Sequence, residues 1–283
     1  MLKTSNQRLI GMATLPLILS PEAFNESRRQ GNILLVGVVP QAVFTTHHIP
    51  GSILVEPAEL MSGEKPAVGK LPPKDRLDAL FSKIGLSSDK HVIVYDDEGG
   101  GWAGRLIWTL DIIGHDNYSY LDGGLSAWLK MGFPLSTMNT GDSIPKPTNF
   151  SSNIREQLLV SKDEVLTSIG DVQSIVWDAR ALEEFNGIKV TALRNGHIPG
   201  AVNLDWLDLQ DKDNDLRLKP LPKIEQQLNE LGISKDMKII THCQTHHRSG
   251  LTYLVGKALG YDIRAYDGSW SEWGNDPDVP IEK

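Results

Sequence analysis

Apolar runs of strand length recur along the chain and alternate with helical patterns. In the first half, Ile33 to Val36 reads as a strand, Lys74 to Ile84 as an amphipathic helix and His91 to Tyr95 as a second strand. The second half repeats the order with Ser174 to Asp178, Lys223 to Leu231 and Met237 to Thr241. Strands alternating with helices predict an α/β fold, in which each unit holds a mostly parallel sheet covered by helices on both faces. In such sheets ligands sit at the carboxyl ends of the strands. Two motifs mark the repeat. His48-Ile49-Pro50-Gly51 returns as His197-Ile198-Pro199-Gly200, an offset of 149 residues (197 − 48). Asp122-Gly123-Gly124-Leu125-Ser126-Ala127-Trp128 returns as Asp267-Gly268-Ser269-Trp270-Ser271-Glu272-Trp273, an offset of 145 (267 − 122). Pro-Gly makes a tight turn and tryptophan packs a terminal helix on the sheet, so both motifs specify fold and not chemistry. Residues 138–154, with Pro145, Pro147, Gly141 and several Ser, Thr and Asn, break the periodicity and read as a linker. The expected domains are therefore 1–150 and 151–283.

Two domains suit a chain of 283 residues, each long enough to bury its own core. With 28 basic and 36 acidic residues the net charge is −8, which argues against general affinity for nucleic acid or an anionic membrane. Any anion site must be local. The single cysteine cannot form an intramolecular disulfide, which fits a reducing compartment, and a cytoplasmic monomer is expected. Leu9 to Leu19 follows Lys3 and Arg8, but Thr14 and Pro16 interrupt it, so it reads as a strand and tail and not as a signal peptide. No apolar run approaches the roughly 20 residues that span a bilayer.

That single cysteine, Cys243, opens the run His242-Cys243-Gln244-Thr245-His246-His247-Arg248-Ser249-Gly250 directly after a strand pattern. Beyond Ser249, apolar side chains recur at helical spacing as far as Gly260, so the thiol lies on a strand-to-helix turn. Backbone N–H groups and the positive end of a helix dipole converge at such a turn. Both favour thiolate over thiol, lowering the pKa from about 8.5. Arg248 pushes the same way. A cation at a helix N-terminus is unfavourable unless an anion compensates it, so Arg248 is a candidate for binding one. Of His246 and His247, one is expected to cradle substrate while the other caps the helix or faces solvent. Arg180 could pair with Asp178 to brace the sheet.

The first half lacks this chemistry. Aligning Gly104 with Gly250 puts Asp97 opposite Cys243 and Trp102 opposite Arg248, and the loop there reads Asp97-Glu98-Gly99-Gly100-Gly101-Trp102. Asp96, Asp97 and Glu98 would repel an anion. One active half and one silent half is the simplest conclusion.

Asp178-Ala179-Arg180, His197-Ile198-Pro199-Gly200-Ala201-Val202-Asn203, the loop from Cys243 to Arg248 and both Gly-x-x-x-x-Trp endings together resemble the rhodanese family of tandem-domain sulfurtransferases. Cys-Gln-Thr-His-His-Arg-Ser and the run Tyr95 to Arg105 are similar to a bacterial subgroup that uses thiosulfate. The resemblance implies two rhodanese-like domains, an inactive one over 1–150 and a catalytic one over 151–283. It implies that Cys243 carries the outer sulfur of thiosulfate as a persulfide and passes it to cyanide, a thiol or a protein acceptor. Arg248, Arg194, His246, His247, Thr245 and Gln244 would bind the small anionic donor. It implies no cofactor and no metal. A 3-mercaptopyruvate donor and a slow persulfide carrier are the nearest alternatives. A cysteine-dependent phosphatase would need five residues between Cys and Arg, where this chain has four. A metal site would need adjacent pairs among His242, Cys243, His246 and His247 to face one ion from a short loop.

Overall fold

A computed structural model describes residues 15–27, 32–137 and 145–283. In the first domain five parallel strands, β1 Ile18–Leu19, β2 Ile33–Val38, β3 Ile53–Val55, β4 His91–Tyr95 and β5 Tyr118–Leu121, lie in the order β1-β5-β4-β2-β3. Its helices are α1 Pro21–Ser27, α2 Gln41–Thr46, α3 Lys74–Lys83, α4 Gly101–Ile112 and α5 Gly124–Lys130. In the second domain β6 Ser174–Asp178 and β7 Val202–Asn203 precede a small antiparallel pair, β8 Gln210–Asp211 with β9 Arg217–Leu218. The strands β10 Lys238–His242 and β11 Asp262–Ala265 complete a parallel sheet of order β11-β10-β6-β7. Leu159 bridges Ala265 in parallel, in the place that β1 takes beside β5. The second domain's helices are α6 Lys162–Ser168, α7 Leu182–Phe185, α8 Leu221–Glu230, α9 Arg248–Ala258 and α10 Ser269–Trp273. The strands and helices read from the sequence are all present, with ends moved by one to two residues. The Leu9 to Leu19 stretch is a strand at Ile18–Leu19, and its residues before Leu15 lie outside the described residues. No helix among the described residues is long and apolar enough to cross a membrane.

The central strands β4 and β10 each feed two cores, because their side chains alternate between faces. Along β4, Val92 and Val94 join the core shared by both domains, whereas Ile93 and Tyr95 join an outer one with Phe24, Leu125 and Trp128. Along β10, Ile239 faces the shared core and Ile240 an outer one with Val165, Trp270 and Trp273. Trp128 and Trp273 are fully buried, as the repeated endings require. The linker residues Thr148, Phe150 and Ser152 run along α3, hydrogen bonding Ser82 and Asp78. Residues 138–144 of the expected linker lie outside the described residues.

The two domains meet through α4 and α9, which cross at Gly104 and Gly250. A Cβ on Gly104 would stand 2.3 Å from the Gly250 carbonyl oxygen, and one on Gly250 would stand 2.4 Å from the Arg105 nitrogen. Only hydrogen fits between these backbones. The repeated Asp-Gly motifs clasp the domains reciprocally: Asp122 accepts the Leu218 N–H (2.9 Å) and Asp267 accepts the Leu71 N–H (2.8 Å). Gly104→Val must push the helices apart and should destabilise the protein by about 3 kcal/mol, the upper end of overpacking costs. Chemical denaturation checks it, and an unchanged midpoint would refute the close crossing.

Candidate active site

Cys243 follows the last residue of β10 and is fully buried. Its backbone is fixed on both sides: the carbonyl accepts the Trp270 N–H (2.9 Å), and the N–H donates to the Ser269 hydroxyl (3.4 Å). Ser269 itself has φ 52°, in the left-handed region. Beneath the turn, Asp178 and Arg180 form a buried bidentate pair (2.6–3.0 Å), and Arg180 stacks 4.2 Å over Trp270. This brace carries out the role for Arg180 that its spacing suggested. Burial pushes the Asp178 carboxyl up, but His242 and Arg180 outweigh it and hold it below the usual range.

Strand register corrects the correspondence between the two loops by one residue. Tyr95 pairs with Gly37 as His242 pairs with Asp178, so Asp96, and not Asp97, occupies the position of Cys243. The Asp96 carbonyl also accepts the Leu125 N–H (2.8 Å), as the Cys243 carbonyl accepts that of Trp270. Gly99 and His246 then coincide, and both have positive φ, 88° and 55°. For a histidine this conformation costs about 1 kcal/mol, strain that glycine avoids.

The first loop shows what such a turn is shaped to hold. The Asp96 carboxylate lies inside it and accepts N–H donors from Glu98, Gly99, Gly100 and Ala103 at 2.9–3.2 Å. Burial nonetheless pushes Asp96 up to about 6, assisted by Glu98. In the second loop a thiol replaces that carboxylate, and the N–H groups of Thr245, His246 and His247 find no acceptor among the described residues. They remain available to an anionic sulfur. Burial raises the Cys243 thiol, but the Arg248 charge, the Ser249 hydroxyl and N–H and His247 together bring it below its ordinary value.

The side chains named from sequence divide into those the fold brings to the thiol and those it does not. Arg248 lies close enough to act on Cys243, and it forms a bidentate pair with Glu184 of α7 (2.6 and 3.0 Å). His246 is buried, its Nδ1 is 2.7 Å from the Ser249 hydroxyl, and Trp108 meets it edge-on at 4.3 Å. Ser249, absent from the candidates, thus joins His246 to the sulfur. His247 is the N-cap of α9, stacks on Trp102 at 4.2 Å and hydrogen bonds Glu98 through Nε2. Each of the two loop histidines therefore has its own partner. The backbone of Thr245 packs on Gly69 of the first domain, whose Cβ position is 2.1 Å from the Thr245 carbonyl oxygen. Gln244 turns away to Thr191, donating to its carbonyl (3.0 Å) and accepting from its hydroxyl (2.8 Å). Arg194 also turns away. Its guanidinium donates to the carbonyls of Pro277 (3.2 Å) and Val279 (2.6 Å), which ties it to the C-terminal segment.

The first domain is part of this site. Arg105, fully buried, donates to the carbonyls of Gly69 (2.7 Å), Leu60 (2.6 Å) and His246 (3.4 Å), and burial pushes it down to about 10. Trp102, Arg105 and Trp108 stand at i, i+3 and i+6 on α4, one helical face laid against the second loop.

These features define a tandem-repeat α/β protein whose site is a buried thiol in a turn lined by backbone donors. The chain belongs to the Rhodanese-like domain family, which matches residues 20–131 and 161–276. It is 44% identical over 273 residues to the thiosulfate sulfurtransferase of Azotobacter vinelandii, covering 95% of this chain and 98% of that one. With the thiosulfate sulfurtransferase of Pseudomonas aeruginosa it shares 42% identity over 271 residues, covering 95% and 97%. The crystal structure of the anaerobic ergothioneine biosynthesis enzyme from Chlorobium limicola superposes with a TM-score of 0.84 at 19% identity, over 94% of this chain and 70% of that one. At that identity the likeness is one of fold.

Proposed function

We propose that the protein is a thiosulfate sulfurtransferase, a cytoplasmic monomer whose second domain carries the nucleophile and whose first domain has none of its own. The observation that supports the reading most directly is the paired turns: where the first encloses the Asp96 carboxylate in N–H donors, the second leaves the N–H groups of Thr245, His246 and His247 without an acceptor among the described residues and brings the Ser249 N–H to Cys243. The Cys243 thiolate attacks the outer sulfur of thiosulfate. A sulfur–sulfur bond forms to Cys243, the bond to the sulfonate sulfur breaks, and sulfite leaves with its electron pair. The persulfide anion then occupies the turn, held by the loop amides and by the charge of Arg248. Attack by cyanide or a thiolate on its terminal sulfur releases product and restores the Cys243 thiolate. Arg248 and the loop from Gln244 to His247 bind the donor, the side chain of Gln244 serving to hold the loop to Thr191. Arg194 shapes the surrounding wall without touching the donor. The dianionic donor suits a loop bearing a guanidinium, which favours thiosulfate over a less charged substrate.

Incubation with thiosulfate alone, followed by intact mass measurement, tests this. The expected result is one added sulfur atom per chain, located on Cys243 and removed by cyanide. An unchanged mass would overturn the reading.

A further inference from the structure

The contact between Glu98 and His247 joins the two domains at the mouth of the site. Glu98 lies in the first domain's loop, and its carboxylate bonds the Nε2 of His247. A carboxylate only accepts, so this nitrogen carries the proton and Nδ1 is left as the acceptor of the neutral ring. The ring is fixed in more than one direction. Trp102 stacks on one face at 4.2 Å, and Trp206 tilts against it at 5.5 Å. The Nε2–Cδ2 edge abuts Gly101, where a Cβ would fall 2.6 Å from the Glu98 oxygen and 2.7 Å from Nε2. Nδ1 lies opposite that edge of the five-membered ring, away from Gly101 and Glu98, and among the described residues His247 makes its side-chain hydrogen bond through Nε2. Gln210 holds the loop itself, donating to the carbonyls of Glu98 and Gly99 (3.1 Å each). The charged and titratable groups that bond or act on the ring are Glu98 from the first domain and Cys243 and His246 from its own loop, with Arg248 next to it in the chain; Asp96 and Asp97 act on Glu98.

We propose that His247 is the base for thiol acceptors in the second half of the reaction, and that Glu98 of the first domain is its positioning residue. The inference rests on the sulfurtransferase reading. Nδ1 takes the proton of an alkyl thiol as its sulfur attacks the terminal sulfur of the Cys243 persulfide. A new sulfur–sulfur bond forms on the acceptor, the bond to Cys243 breaks, and Cys243 leaves as thiolate. The proton on the imidazolium passes to the departing hydropersulfide or to water. A carboxylate orienting a histidine whose far nitrogen does the proton transfer is the arrangement general-base catalysis requires. The first domain has no nucleophile of its own, and it contributes to chemistry in this way.

The test is single-turnover transfer from Cys243 persulfide to thiols of graded acidity. Loading Cys243 with inorganic polysulfide keeps the test independent of thiosulfate, so failure of the donor reading and failure of this one are told apart. Glu98→Gln keeps the side chain's shape but removes its charge and lets the amide N–H donate to Nε2, so the ring proton is no longer held on that nitrogen and Nδ1 is no longer kept free as the base. It should slow transfer to a thiol of pKa near 10 by about 100-fold, the usual scale of general-base catalysis. The deficit should shrink to about two-fold for acidic thiols, or when pH is raised until the acceptor arrives ionised. Gly101→Ala, which wedges Glu98 from His247 within a helix that tolerates alanine, should give the same acidity-dependent loss. A loss equal for all thiols and all pH values, or no loss in either folded variant, would overturn the proposal.

Discussion

Cys243→Ser should abolish sulfur transfer from thiosulfate to cyanide while the protein stays folded. Serine keeps the size of the side chain, and its hydroxyl can bond the Ser249 group that now faces the sulfur. The site has no second thiol to take over, because the chain holds a single cysteine. An alkoxide is not available near neutral pH, and an oxygen nucleophile cannot form a persulfide. Activity should fall to the assay background, and the melting temperature should move by no more than about 5 °C, the shift that roughly 1 kcal/mol produces in a domain of this kind. The colorimetric thiocyanate assay and a thermal melt read both. Residual turnover above background in the variant would sink the persulfide route.

The sequence disclosed the architecture because the signals that set it are local and doubled. Apolar runs of strand length, helical spacing and the two repeated motifs recur in both domains, and each domain constrains the reading of the other. The nucleophile was legible for a similar reason: a lone cysteine between a strand and a helix start has few structural explanations. What the sequence hid are contacts made across the domain boundary. Glu98 bonds His247 and Trp102 stacks on it across 149 and 145 positions (247 − 98 and 247 − 102), and Arg105 reaches the His246 carbonyl. Charge alone suggested that the first loop's acids would merely repel an anion. In the folded chain Asp96 instead fills its own turn, and Glu98 holds a histidine of the other. One signal was available: an arginine between two tryptophans at three-residue spacing on a helix otherwise fit for burial. The one-residue error in matching the loops came from anchoring on Gly104 and Gly250. These glycines touch each other at the crossing of α4 and α9 and stand one residue out of step with the strand register of the two domains. Arg194 shows the limit of such reasoning: a guanidinium near a reactive loop can equally serve nearby carbonyls, as it does here at Pro277 and Val279.

Arg248→Ala should lower kcat/KM for thiosulfate by about 100- to 1000-fold, the scale seen when one preorganised donor is removed from a developing charge. The pairing with Glu184 makes this larger than the loss of a single contact. Glu184 is only 3% exposed, and both its oxygens are bonded to the guanidinium. Removing the arginine strands that carboxylate in the protein interior, near the thiol it must not repel. The Cys243 pKa, now held below its ordinary value chiefly by Arg248 against burial, should rise. Alkylation by iodoacetamide should therefore slow most at pH values below the ordinary thiol range, with the difference closing at alkaline pH, where both forms are ionised. Stability should change with the opposite pH sense. Burial raises the Glu184 carboxyl, but Arg248 outweighs it, so its folded pKa lies below the ordinary 4.5. The stabilisation is present above about pH 4.5 and is lost as pH falls through the lower folded value. Wild type should thus exceed Arg248→Ala in melting temperature at pH 7, and the gap should narrow in acid. Arg248→Ala combined with Glu184→Ala separates the two contributions. The double variant should recover much of the stability, because no buried charge is left unpaired, and little of the activity, because the donor still lacks its cation. Activity recovering together with stability would show that Arg248 serves the fold alone, and that the loop amides by themselves hold the persulfide.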